Sequence, residues 1–278
     1  MQARIAIFGV LLPALVAVVP LIAWWVHRRR KDKDASLRWS AAAVALAAAL
    51  SFHARQGFAF PPAEAWQWVG MAIACLGAVG WVAGSRNLGV RGCIVAALVA
   101  AGSMAFLMRL PGLADLPWRI GILVVAAVVA ALLARSGAAR APVSAPLAWG
   151  GLFMAFSVQC LSAGFEKLGS MSAATGLVLL ALAGLGSMVK GFALGAGATV
   201  TVAVLFVTFV AVGAAYAPDD LPWWRWPAMA AMPLAMLAGD ARFLPKESLA
   251  GGAVRAALPL AGAAVVVGPL AGALARAA

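Results

Sequence analysis

A short polar stripe is the feature of this sequence that could support chemistry inside an otherwise apolar stretch. It consists of Gln159, Ser162 and Glu166, which are spaced i, i+3 and i+7. Residues at these spacings share one face of a helix. Because no proline occurs in residues 147–171, we expect one continuous helix to hold all three. Ionisable groups at membrane depth are costly and typically functional, so we predict that the stripe lines a substrate or ion pathway.

A second interpretation places Glu166 in a loop. Glu166 and Lys167 lie about where the distribution of positive charge requires a loop between the sixth and seventh of the spans given below. In that case the pair marks the loop and lines no pathway. Under the pathway hypothesis, by contrast, Glu166→Gln is expected to abolish activity.

The ninth apolar segment is unusually short and contains two prolines. Only fourteen residues separate Arg225 from Asp240, with Pro227 and Pro233 between them. Proline removes a backbone donor and kinks a helix, and short, interrupted spans mark substrate sites in some transporters. We expect Asp240 itself to lie in a solvated loop beyond this segment.

Residues for enzyme chemistry are scarce. The histidines are His27 and His53, so the sequence has no His-Glu-x-x-His motif and no histidine pair that could hold a haem. The three cysteines form no Cys-x-x-Cys pair. With nine acidic residues in the whole chain, we expect no enzymatic activity, no cofactor and no metal site.

The composition indicates how these residues must be positioned. The chain is 65% hydrophobic and 11% charged, against about 25% charged residues in soluble domains. A bilayer permits this excess because apolar side chains can face outward as well as inward. The net charge of +12 does not indicate nucleic-acid binding, because the basic residues stand between apolar runs, as membrane orientation signals do.

We therefore predict an all-α, polytopic transmembrane helix bundle that forms a single domain over residues 1–278. A spanning helix needs about 20 apolar residues, and ten segments approach this length. They are residues 5–26, 38–54, 66–84, 92–108, 118–134, 146–165, 172–189, 193–215, 225–239 and 253–275.

The distribution of basic residues predicts the orientation of the bundle. If the loop after the first span is cytoplasmic, fourteen basic residues lie inside and seven outside, as the positive-inside rule requires. All eleven tryptophans fall near predicted span ends, where indole rings favour the headgroup level. Both signals favour ten spans with the two termini outside.

A repeated motif suggests an internal duplication. Asp115-Leu116-Pro117-Trp118 recurs 105 residues later as Asp220-Leu221-Pro222-Trp223. The parallel repeats would be residues 36–140 and 141–245, which hold spans 2–5 and 6–9. Parallel repeats occur among transporters, although any interfacial loop also uses proline and tryptophan by default.

Three functions are compatible with this sequence. The first is a transporter or permease for a small solute, and the second is a non-catalytic subunit of a larger membrane complex. The third is a lipid-modifying membrane enzyme that uses Glu166 or Asp240. The expected partners are the lipid bilayer and other membrane subunits or a second copy of the chain, with no nucleic acid. Arginine outnumbers lysine sixteen to five, which favours a bacterial source and its cytoplasmic (inner) membrane.

Overall fold

Every element that the structure describes is helical. A computed structural model of the chain describes residues 7–27, 35–56, 68–84, 88–105, 116–136, 139, 141–189, 192–217, 221–240 and 249–277. Within these ranges ten α-helices follow one another. They are α1 Leu12–His27, α2 Ala35–Gln56, α3 Trp68–Gly84, α4 Val90–Ser103, α5 Leu116–Arg135, α6 Ser144–Ser162, α7 Glu166–Met188, α8 Gly195–Ala215, α9 Arg225–Ala231 and α10 Leu249–Ala277.

Two further helical segments extend α1 and α9. A π-helical turn, Ile7–Leu11, precedes α1, and a 3-10 helix, Met232–Asp240, continues directly from α9. The ninth segment is thus broken into a seven-residue α-helix and a nine-residue 3-10 helix. Pro233 lies at the second position of the 3-10 helix, where a proline cannot donate a backbone hydrogen bond to continue the α-helix.

Five of these helices are long and apolar enough to cross a membrane: α5, α6, α7, α8 and residues 250–271 of α10. They fit a membrane-embedded protein. A helix lies at each of the ten predicted spans, but α3 and α4 are shorter than a full crossing. The count of ten crossings, the outside termini and the single domain stay predictions, as does the repeat of α2–α5 in α6–α9.

Helix α8 lies at the centre of the described bundle. It contacts α2, α3, α4, α5, α6 and α9. In its most apolar window 83% of the residues are buried, against 33% in α5 and α10. A helix that is apolar on all sides is buried on all sides, and α8 has this composition.

Small residues let α8 approach its neighbours closely. The space that a side chain at Gly80 of α3 would fill is occupied by Thr201 of α8 and Ala41 of α2. The space beside Gly197 of α8 is occupied by the α3 backbone at Gly80 and Gly84. Apolar attraction between helices is weak in lipid, so such close van der Waals contact is what holds spanning helices together.

Helices α6 and α7 form a tight antiparallel hairpin. Gly150 of α6 and Gly176 of α7 lie against each other's carbonyls, so a side chain at either position would crowd the facing helix. Two serines add hydrogen bonds between the helices: Ser157 Oγ donates to the carbonyl of Gly169 at 2.8 Å, and Ser172 Oγ donates to the carbonyl of Phe153 at 2.6 Å. The hairpin therefore holds α6 in a fixed register for the side chains on its other faces.

Candidate functional site

The predicted polar stripe is divided between two helices. Helix α6 ends at Ser162, and the chain turns through Gly164, whose φ is +79°. The amide of Phe165 donates to the carbonyl of Cys160 at 2.8 Å and that of Gly164 to Leu161 at 3.1 Å. This is a Schellman motif, which terminates a helix at a glycine. The prediction of one continuous helix through residues 147–171 was therefore wrong.

The three stripe residues lie in different surroundings. Gln159 is fully buried. Ser162 is half-buried, and its hydroxyl donates to the carbonyl of Gln159 in its own helix at 2.9 Å. Glu166 is exposed in the first turn of α7, where a negative charge interacts favourably with the helix dipole. The structure brings Gln159 and Ser162 together and leaves Glu166 at the turn.

The buried carboxamide of Gln159 has no hydrogen-bond partner. Neither its Oε1 nor its Nε2 is bonded, and both atoms are inaccessible to solvent. Leaving such a buried group unsatisfied costs about 1–3 kcal/mol. Most buried polar groups in proteins are bonded, so each exception calls for an explanation.

An aromatic column runs along α6, the helix that carries Gln159. Trp149, Phe153 and Phe156 follow one another along α6, and Phe206 of α8 contacts all three. The ring centroids of Phe153 and Phe206 are 5.1 Å apart at an interplanar angle of 73°. Edge-to-face pairs at such distances are favourable. These four side chains are fully buried and fill the interface between α6 and α8.

Trp226 of α9 closes one end of this column. Its ring lies 6.2 Å from that of Phe156 and packs against Gly213 of α8, which leaves no room for a side chain there. The indole Nε1 atoms of Trp226 and Trp149 are buried and have no partner. The column thus holds two unsatisfied indole donors, and the unsatisfied carboxamide of Gln159 lies on the same helix as Trp149.

A partly buried ion pair lies toward the opposite end of α6, in what we call the Arg255 cluster: Arg255, Asp240, Gly239 and Ser144. Arg255 Nη2 lies 2.6 Å from Asp240 Oδ1 and donates to the carbonyl of Gly239 at 3.4 Å. Its Nη1 donates to Ser144 Oγ at 3.4 Å. The Arg255 side chain is 9% exposed and that of Asp240 29%.

This cluster refines one expectation from the sequence. Asp240 was expected in a solvated loop beyond the ninth segment, whereas the structure places it, exposed, as the last residue of the 3-10 helix and in an ion pair. The structure places Arg255 within α10, where it ties that helix to the 3-10 helix and to the first residue of α6. The available signal was its position six residues into an apolar helix, because a buried charge needs a partner.

The polar groups and the column define a candidate pathway, namely the interface of α6 with α8, α9, the 3-10 helix and α10, from Arg255 to Gln159. Ser144 and Gln159 lie near opposite ends of α6. Helix α10 runs parallel to α6, since Ser144 faces Arg255 and Gly151 faces Leu260. The same elements therefore position both ends.

The described residues contain no group of three or more histidine, cysteine, aspartate or glutamate side chains that could hold a metal ion. Comparison of the chain with protein-family models, with curated proteins and with solved structures finds no match.

Proposed function

We propose that this protein is a transporter or permease for a small, neutral or weakly charged solute in the cytoplasmic membrane of a bacterium. The unpartnered, fully buried carboxamide of Gln159 carries the proposal. A polar group retained inside a membrane bundle at an energetic cost is a functional candidate by default. A solute with its own donor and acceptor would satisfy both atoms of the carboxamide.

The neighbouring groups indicate the chemistry of the solute. The carboxamide offers donors and an acceptor, each indole offers one donor, and aromatic rings supply the remaining contacts. The column includes no charged side chain. These groups match a neutral, hydrogen-bonding solute with an apolar or planar part better than an inorganic ion.

Access would require movement at both ends of the candidate pathway. The rings of Trp149, Phe153, Phe156 and Phe206 fill the interior, and the Arg255 cluster joins three elements at one end. The change from α-helix to 3-10 helix at Met232 provides a natural hinge. We propose that the 3-10 helix moves relative to α10 when the Arg255–Asp240 pair separates.

Glu166 and Ser162 have subsidiary roles in this proposal. Ser162 is the last residue of α6, one turn after Gln159, and Glu166 begins α7 on the other side of the α6–α7 turn. We propose that they form the mouth of the pathway at that end. Glu166→Gln is then expected to weaken solute uptake, whereas changes at Gln159 remove it.

The first experiment is a thermal-stability screen of the purified protein against a panel of neutral small solutes. A solute that binds the folded protein raises its melting temperature. The proposal expects at least one solute to stabilise the wild type and to have no effect on Gln159→Leu. Thr175→Ala is the matched control, because Thr175 is a buried polar residue of α7 whose hydroxyl donates to the carbonyl of Met171 in its own helix. Uptake of the same solute into proteoliposomes then tests transport.

A folding control distinguishes loss of the solute site in Gln159→Leu from misfolding of that variant. The melting transition of Gln159→Leu without solute reports whether that variant folds. Equal stabilisation of the wild type and of Gln159→Leu would remove Gln159 from the site. A solute that binds but never accumulates in proteoliposomes would overturn transport.

A membrane-complex subunit is the second candidate, favoured by the apolar outer face of α5. Trp118, Ile120, Val124 and Val128 are all more than half exposed there. Native mass spectrometry of the protein released gently from its membrane distinguishes the two candidates, because a stoichiometric hetero-complex favours the subunit. No specific observation favours a lipid-modifying enzyme that uses Glu166 or Asp240, because Asp240 is paired with Arg255 and Glu166 stands in the first turn of α7.

A further inference from the structure

An apolar groove runs along the outside of the bundle between α2 and α3. Its volume is about 300 Å³. Small side chains form most of it, spaced i, i+3, i+4 and i+7 on each helix. The lining residues are Ala42, Ala45, Leu46, Ala49, Ala74, Gly77, Ala78 and Trp81. Ala74 and Ala78 are exposed, so the groove opens to the surroundings of the bundle.

Tight contact between the two helices forms the floor of the groove. Gly77 of α3 lies against the Cβ of Ala45, and Gly80 lies against that of Ala41. From Ala42 to Ala49 the groove follows about 10 Å of helix axis, since each residue adds about 1.5 Å. These dimensions suit one extended hydrocarbon chain lying along the helices.

Polar and aromatic groups stand at one end of the groove. Trp39 and Trp81 meet there edge to face, with their ring centroids 4.8 Å apart at 84°. Indole rings favour the headgroup level of a bilayer. Arg38 precedes Ala42 by one turn and therefore lies on the groove face of α2. The distribution of positive charge predicts that this end is cytoplasmic.

One guanidinium nitrogen of Arg38 is unsatisfied. Its Nε is buried and has no hydrogen-bond partner, and no ion pair of Arg38 occurs in the part of the chain that the structure describes. Arginine binds phosphate oxygens through charge-assisted and often bidentate hydrogen bonds. The charge at this end of the groove is thus complementary to a phosphate group, and the groove itself to an alkyl chain.

We propose that the α2–α3 groove binds an anionic phospholipid, with one acyl chain along the alanine-lined floor and the phosphate held by Arg38. A lipid fits because the charge of Arg38 and the apolar groove meet at the Trp39–Trp81 pair, as a headgroup and an acyl chain meet in a phospholipid. A second protein helix would need no charge at this point. The site lies outside the candidate pathway, and the proposal does not depend on transport.

The test is native mass spectrometry of the whole protein in detergent, titrated with phosphatidylglycerol or with phosphatidylcholine. We expect one tightly bound phosphatidylglycerol per chain and weaker binding of phosphatidylcholine. Arg38→Gln should weaken phosphatidylglycerol binding about tenfold, since a charge-assisted hydrogen bond is lost. Arg91→Gln is the matched control, because Arg91 is an exposed basic residue on α4 that is predicted on the same side.

A second pair of variants tests the groove separately from the charge. Ala78→Leu adds a side chain from an exposed position inside the groove, whereas Cys75→Leu adds one at an exposed position of α3 outside it. We expect Ala78→Leu to weaken lipid binding and Cys75→Leu to leave it unchanged. Melting temperatures establish that each variant folds.

Two results would overturn the proposal. Equal binding of the two lipids by the wild type and by Arg38→Gln would show that no headgroup site exists there. If the chain is instead a dimer that Ala78→Leu dissociates with no change in bound lipid, the groove is an interface between copies of the chain.

Discussion

The guanidinium of Arg255 in α10 lies 2.6 Å from the carboxylate of Asp240, the last residue of the 3-10 helix. Gly239 permits this approach, because a side chain there would collide with the Cβ of Arg255 and the carbonyl of Gly251. The pair thus fixes the end of a broken helix to an intact one. In the proposed function, it is the contact that must open at this end of the candidate pathway.

Breaking the Arg255–Asp240 pair should destabilise the folded protein. Because the Asp240 side chain is 29% exposed, we expect a coupling free energy of about 1–3 kcal/mol, below the range for fully buried pairs. A double-mutant cycle with Arg255→Gln and Asp240→Asn measures it through the free energy of unfolding in mixed micelles. Arg91→Gln should change that free energy little. A coupling near zero would mean that the pair does not fasten the 3-10 helix.

Replacing Gln159 by leucine should stabilise the protein. Leucine is similar in size and leaves no buried donor or acceptor unsatisfied, so a gain of about 1–3 kcal/mol is expected. The measurement is the free energy of unfolding, with Ser162→Ala as the reference variant. Lower stability in Gln159→Leu would show that the carboxamide has a structural partner. If Gln159→Leu is more stable but no longer responds to the solute, stability has been gained at the expense of function, as is typical of substitutions in functional sites.

The turn between α6 and α7 should require a glycine at position 164. Its φ of +79° costs a side-chain-bearing residue about 1–2 kcal/mol. Gly164→Ala should therefore lower the free energy of unfolding by this amount. Gly184→Ala, within α7 and with open space around it, should instead raise it by about 0.5–1 kcal/mol. A loss at both positions would exclude backbone conformation as the cause.

Cysteine labelling in intact cells tests whether α5 and α6 cross the membrane. In a variant without native cysteines, we expect Arg119→Cys and Lys167→Cys to react with an impermeant reagent added outside. Arg135→Cys should react only after the membrane is permeabilised. Arg135 and Lys167 are exposed, so a lack of labelling there cannot be assigned to burial. Reaction of all three from one side would contradict both crossings.

The positions of the helices could be predicted because they follow from local composition. Apolar runs such as residues 193–215 are long and free of charge, and the structure has a helix there from Gly195 to Ala215. The break in the ninth segment could also be predicted, since Pro227 and Pro233 interrupt it within a few residues of each other. Proline disrupts backbone hydrogen bonding within its own helix, so its effect can be predicted from neighbouring residues.

The candidate site was only partly predictable. Gln159 was identified by its polarity in an apolar run, but the continuous helix to Glu166 was not found. The absence of proline was taken to allow a helix, whereas the stop signal was Gly164, followed by the apolar Phe165. In a chain with 29 glycines, composition does not reveal which of them adopts a positive φ.

By itself, the sequence determined an all-helical chain with helices apolar enough for a membrane, because helix formation and hydropathy depend on neighbouring residues. Only the tertiary structure decided which polar groups meet. Arg255 and Asp240 are fifteen residues apart and pair because two helices pack at Gly239. Gln159 is buried without a partner in α6, along which an aromatic column from α6, α8 and α9 packs. Burial and pairing depend on contacts between distant segments, which no local pattern specifies.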